Sequence, residues 1–119
     1  MWKDDSIAAD ILLAAQDIQK FTAGLTRDEF AHSGAIQSAV IFKIIVSGEA
    51  AKRSSDEFRR QHPQINWKQI AGMRDQCVHG YSEIDVDKVW EVVTEERQSS
   101  KRILRVFFLN RPTDKMSMA

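Results

Sequence analysis

Ala39-Val40-Ile41-Phe42-Lys43-Ile44-Ile45-Val46 can be read as either of two elements. β-Branched residues dominate it, as in a buried strand. Two stripes, Ile36-Val40-Ile44 and Ile41-Ile45-Gly48, nevertheless recur at the three- and four-residue steps of a helix. Length arbitrates between them. Glu49-Ala50-Ala51-Lys52-Arg53 continues the helix-forming pattern without a turn signal, so the expected element is one helix from Ala35 to Phe58. Being apolar over a wide arc, it is expected to be the central and most buried helix.

On the N-terminal side, Ile7, Ile11, Ala14, Ile18 and Phe21 give an amphipathic helix from Asp5 to about Phe21, which Gly24 ends. Within the polar stretch from Leu25 to Ser33, Thr26, Asp28 and Glu29 resemble the start of a capped helical turn. On the C-terminal side, His62-Pro63 breaks the central helix, because proline disfavours helical geometry at the residue before it. Asn66 is an N-cap for a helix reaching His79, with Gly80 as its stop. Asp85 caps a last helix whose apolar face is Val86, Val89, Trp90, Val93, Ile103 or Leu104, and Phe107. The expected fold is all-α, an antiparallel four-helix-type bundle with an extra short helix. A single domain over 1–111 and a disordered tail over 112–119 complete the expectation.

The chain has 119 residues and one cysteine, so it can bury one core without an intramolecular disulfide. No signal-peptide pattern is present, and a cytoplasmic protein is expected. The run Ala39 to Val46 contains Lys43 and is shorter than the roughly 20 apolar residues a bilayer requires, which argues against a membrane partner. Lysine plus arginine equals aspartate plus glutamate at 17 each, so no overall field draws the protein to a polyanion. A nucleic-acid partner would have to be held by a local pocket or by a cleft formed on assembly.

The chemistry concentrates in Arg74-Asp75-Gln76-Cys77-Val78-His79-Gly80-Tyr81. Arginine offers a planar, permanently charged fork for phosphate oxygens, and histidine moves a proton near neutral pH. These groups suit cleavage of RNA by attack of the 2′-hydroxyl on the adjacent phosphate. His79 would transfer protons and Arg74 would hold the phosphate, with Asp75 orienting one of them and Tyr81 bonding phosphate or stacking on a base. On a regular helix Arg74 and His79 project about 140° apart, so either the last turn distorts or a two-fold dimer combines the residues of two copies. The bland reading of the same residues is a salt-bridged surface arginine and a histidine at a helix C-terminus. His32, His62 and His79 lack metal-ligand spacing and the glycines form no phosphate loop, so neither metal nor cofactor is expected. Cys77, Trp67 and Trp90 read as core, while Lys52-Arg53 and Arg59-Arg60 read as a solvated helix face that could border an RNA groove after dimerisation.

The segment from His62 to Asp75, with His79-Gly80-Tyr81, Gly48-Glu49-Ala50-Ala51-Lys52, Asp4-Asp5 and Ile84-Asp85 before Val89-Trp90, resembles the HepT-like branch of the HEPN superfamily. The family pattern is Arg, a polar residue, three positions, His, any residue and Tyr. Arg74, Asp75, His79 and Tyr81 fill those places. The resemblance implies a homodimeric, metal-independent ribonuclease toxin of a toxin–antitoxin pair, with Arg74 and His79 catalytic. It also implies a minimal nucleotidyltransferase antitoxin that transfers AMP to Tyr81. A bulky anion there would block the phosphate site and repel RNA. Two departures stand out: aspartate replaces the commoner asparagine at position 75, placing a negative charge beside the phosphate site, and Phe42-Lys43-Ile44-Ile45-Val46-Ser47 is more apolar than usual. The competing reading, from another class, is a non-catalytic helical module that binds a nucleotidyltransferase and a nucleotide or substrate.

Overall fold

The computed structural model describes residues 2–63, 65–80 and 84–104, with side chains for 5–63, 65–80 and 84–95. Tyr81, Phe107 and the tail 112–119 lie outside the described residues, as do the side chains of Ile103 and Leu104. The helices are α1 (Trp2–Thr22), α2 (Arg27–Ala31), α3 (Gly34–Arg53), α4 (Asp56–Gln61), α5 (Trp67–His79) and α6 (Val86–Leu104). Among the described residues there is no strand, and the Ala39–Val46 run is helical.

α3 is the centre of the bundle, packed on α1 along one flank and on α5 along the other, while α6 lies chiefly on α1. Ion pairs from Asp17 to Lys43 and from Asp10 to Arg53 fix α1 and α3 as antiparallel. Two apolar clusters run the length of the bundle. One joins Ile11 and Leu12 of α1 to Ala50 and Ala51 of α3, Phe58 and Ile65, with Trp67 and Ile70 packed against it. The other joins Ile18, Phe30, Val40, Ile44, Cys77, Val89 and Val93, with Met73 and Trp90 alongside. The late half of α3 therefore meets the early half of α5, and the early half of α3 meets its end, so these two helices are also antiparallel. By length and composition alone Gly34–Arg53 could cross a membrane. Here its four charged residues, Lys43, Glu49, Lys52 and Arg53, are all ion-paired to neighbouring helices, and its buried residues belong to the shared core.

Local signals fix most helix ends. Gly24 takes φ +76°, a left-handed conformation that costs glycine little. Thr26 and Glu29 form a reciprocal capping box, with Glu29 N–H donating to Thr26 Oγ1 at 3.2 Å and Thr26 N–H to Glu29 Oε1 at 2.9 Å. Asn66 caps α5 by accepting from Gln69 N–H at 3.0 Å, and the Gly80 N–H closes its end on the Gln76 carbonyl. Asp85 accepts from Asp87 N–H at 2.9 Å, as expected of the cap of α6.

Three expectations are corrected. α1 begins at Trp2, before Asp5. The central helix does not reach Phe58: it ends at Arg53, Ser54 is extended at ψ 149°, and Ser55 starts α4 by accepting from Phe58 N–H at 3.0 Å. The break is held by Arg59, whose guanidinium donates to Ser54 Oγ and to the Ala51 carbonyl, both at 2.8 Å. Arg59 is thus a partly buried C-terminal cap for α3 and not part of a solvated face, whereas Lys52 and Arg53 are exposed as expected and ion-paired there. Ser55→Ala is expected to lower stability by about 1 kcal/mol, read as a lower urea midpoint with an unchanged slope.

Candidate active site

α5 carries the chemistry, and its seat on α3 is set by one missing side chain. A Cβ placed on Gly48 would lie 2.1 Å from Arg74 Cβ, 2.7 Å from its Cγ and 3.0 Å from the Ile70 carbonyl oxygen. Only glycine permits this approach, and the approach brings the polar flanks of the two helices together. Arg74 Nη1 donates to Asp75 Oδ1 at 3.0 Å and Nη2 to Glu49 Oε1 at 3.4 Å. Lys52 Nζ reaches Asp75 Oδ1 at 2.5 Å. The Arg74 side chain is 21% exposed, its guanidinium reaches Glu49 of α3, and its Nε is buried without a hydrogen bond among the described residues.

These contacts set the protonation of the pair. Lys52 first, then Arg74, holds the Asp75 carboxyl below the usual carboxylate range. The bond to Asp75 raises Arg74 above its already high value. The aspartate that sequence places beside a phosphate site is therefore balanced by a lysine from another helix. A depressed folded-state pKa contributes stability above the unfolded value, and that contribution is lost as the pH falls through the folded one. Asp75→Asn is expected to lower the melting temperature at about pH 6, with the gap to the unaltered chain narrowing as the pH falls below the ordinary aspartate value of about 3.9. Parallel curves across that range would exclude this linkage.

α5 stays regular to His79, so its last turn does not bring Arg74 and His79 together. Positions four apart share a helix face, whereas positions five apart do not. Accordingly Asp75 and His79 line one cleft of about 540 Å³ between the end of α5 and the start of α6, with Gln76, Cys77, Asp85 and Lys88, and Arg74 is not in its wall. His79 is exposed and makes no hydrogen bond or ion pair among the described residues. Cys77 is buried in the cleft floor, and burial pushes its thiol up, away from nucleophilic use. Among the described residues no three or more His, Cys, Asp or Glu side chains are arranged to hold a metal ion. Trp67 and Trp90 are partly buried against the core: Trp67 stacks edge-on to Phe58 at 5.7 Å and Trp90 lies 5.2 Å from Phe30.

From sequence, Glu49, Lys52 and Lys88 have no place in the site, beyond Lys52 at the border of a groove. The first two carried a signal, standing three apart on α3 so that both can reach α5, but the register of α5 against them is a tertiary fact.

Compared with known families, residues 11–107 match Ribonuclease HepT-like. A Thermococcus cleftensis protein named "Probable ribonuclease HepT" is 37% identical over 92 residues, covering 77% of this chain and 84% of that protein. Two Methanocaldococcus jannaschii proteins that carry an RNase designation are 39% identical over 93 residues and 32% identical over 97. The first alignment covers 78% of this chain and 80% of that protein, the second 82% and 89%. No solved structure matches the chain significantly.

Proposed function

The chain belongs to the HepT-like ribonuclease family, and from that membership we propose that it cleaves RNA at a composite site built by two copies. The observation that carries this reading is the division of labour on α5. Among the described residues His79 is unpaired in an open cleft whose wall does not include Arg74, and a second copy would bring the two kinds of group together.

In the proposed reaction one His79 takes the proton of the 2′-hydroxyl as the 2′-oxygen bonds to phosphorus. The bond from phosphorus to the 5′-oxygen breaks, and the imidazolium of His79 of the partner subunit gives that oxygen its proton. The products are a 2′,3′-cyclic phosphate and a free 5′-hydroxyl. Arg74 stabilises the charge of the pentacoordinate transition state, and Asp75 positions Arg74 through its bond at 3.0 Å. This scheme calls on no metal. Tyr81 follows His79 by two residues and is the proposed acceptor of AMP from a nucleotidyltransferase antitoxin, in a cytoplasmic toxin–antitoxin pair. The adduct would place negative charge where RNA phosphate must enter.

The test is expression of the chain alone beside an Arg74→Ala/His79→Ala control, following growth and total RNA. Arrest with RNA cleavage only in the unaltered chain supports the ribonuclease reading. Intact RNA and normal growth, with soluble protein free of AMP on Tyr81, point instead to a non-catalytic module that binds a nucleotidyltransferase and a nucleotide. An active monomer in sedimentation would overturn the composite site.

A further inference from the structure

The His79 cleft does not end at His79. Gln76 and Lys88 line it and also line a second cleft of about 230 Å³ further along the same two helices, so the pair forms one groove between α5 and α6. The groove exists because α5 packs on α3 and α6 on α1, leaving these two helices with little direct contact. Its floor includes Met73 and Val92, and Gln76 and Lys88 stand where the two clefts join.

The charges of the His79 cleft are unevenly committed. Asp75 is held by Lys52 and Arg74, and Asp85 accepts the Asp87 N–H. Lys88 is exposed and, like His79, makes no hydrogen bond or ion pair among the described residues. The available cation of this cleft is therefore an ammonium on the wall opposite the histidine. A lysine ammonium is a flexible point charge with three donors, suited to one phosphate oxygen in a chain whose path varies. The apolar floor beside it offers a surface for an unpaired base.

We propose that Lys88 is a substrate-binding residue that holds a phosphate flanking the scissile one, with the single-stranded RNA laid along the α5–α6 groove. This rests on the ribonuclease reading for its substrate but assigns a residue and a path that the Arg74–His79 pair does not. Carboxylates line both clefts, Asp75 and Asp85 the first and Glu91 the second, and Lys88 is the lysine common to the two. One lysine between carboxylates supplies one phosphate contact.

The experiment uses a short labelled single-stranded RNA with the unaltered full chain, Lys88→Ala and Lys88→Arg, measured over a range of salt. Lys88→Ala is expected to raise KM about five- to tenfold with kcat little changed. It is also expected to flatten the salt dependence of binding by about 0.7 in log–log slope, the loss of one phosphate contact on a single strand. Lys88→Arg is expected to restore both. Unchanged KM and slope in Lys88→Ala, with the unaltered chain active, would overturn the assignment and leave the ribonuclease reading standing. If the unaltered chain binds the RNA without cutting it, the ribonuclease reading fails, and the Kd and salt slope of the three chains still decide the role of Lys88. If it neither binds nor cuts, both fall.

Discussion

His79→Ala is expected to slow RNA cleavage by about 10²–10⁴-fold, the usual contribution of a positioned proton-transfer group. The fold should be untouched. The side chain is exposed and unpaired among the described residues, and α5 is closed by the backbone bond from Gly80 N–H to the Gln76 carbonyl, which alanine leaves in place. A melting temperature within about 3 °C of the unaltered chain is the expected control. RNA binding should survive, since the ring acts on protons and not as the main phosphate anchor. Cleavage at the unaltered rate would remove histidine from the mechanism whatever else the cleft does.

Gly48→Ala is expected to destabilise the protein by about 2 kcal/mol or more, against the direction that helix propensity gives. In an open helix the exchange would favour alanine by about 1 kcal/mol. Here the new Cβ would meet Arg74 Cβ at 2.1 Å and the Ile70 carbonyl oxygen at 3.0 Å, so backbone must move, and overpacking of this kind costs about 1–3 kcal/mol and sometimes more. Moving α5 away from α3 would also loosen the Glu49–Arg74 and Lys52–Asp75 pairs. Cleavage is expected to fall by more than the folded fraction alone explains. Urea unfolding gives the stability, and a rise in midpoint would show that the helices part at no cost.

Much of the fold is legible in the sequence because its signals are local. The capping box at Thr26 and Glu29, the cap at Asn66, the stop at Gly80 and the length rule that turns Ala39–Val46 into helix all act within a few residues. The end of α3 is not local in this sense. Phe58 stands seven residues after Ala51 and falls on the same helical face, so the apolar period runs through the break. What ends the helix is Ser54 turning extended and Arg59 folding back onto the Ala51 carbonyl. At the site, the helical period itself shows that Arg74 and His79 diverge, and the regular α5 agrees. The balance of charge around Asp75 was illegible, because Lys52 reaches it across an interface whose spacing depends on Gly48.

The chain has one sulfhydryl, and Cys77 is 1% exposed on the helix that bears the candidate site, two residues before His79. A thiol reagent can reach it only when α5 lifts from the bundle or the whole chain opens. Its labelling rate is therefore a built-in gauge of local opening, needing no engineered probe. Measured across variants, it separates a substitution that disables a group from one that unseats the helix carrying it.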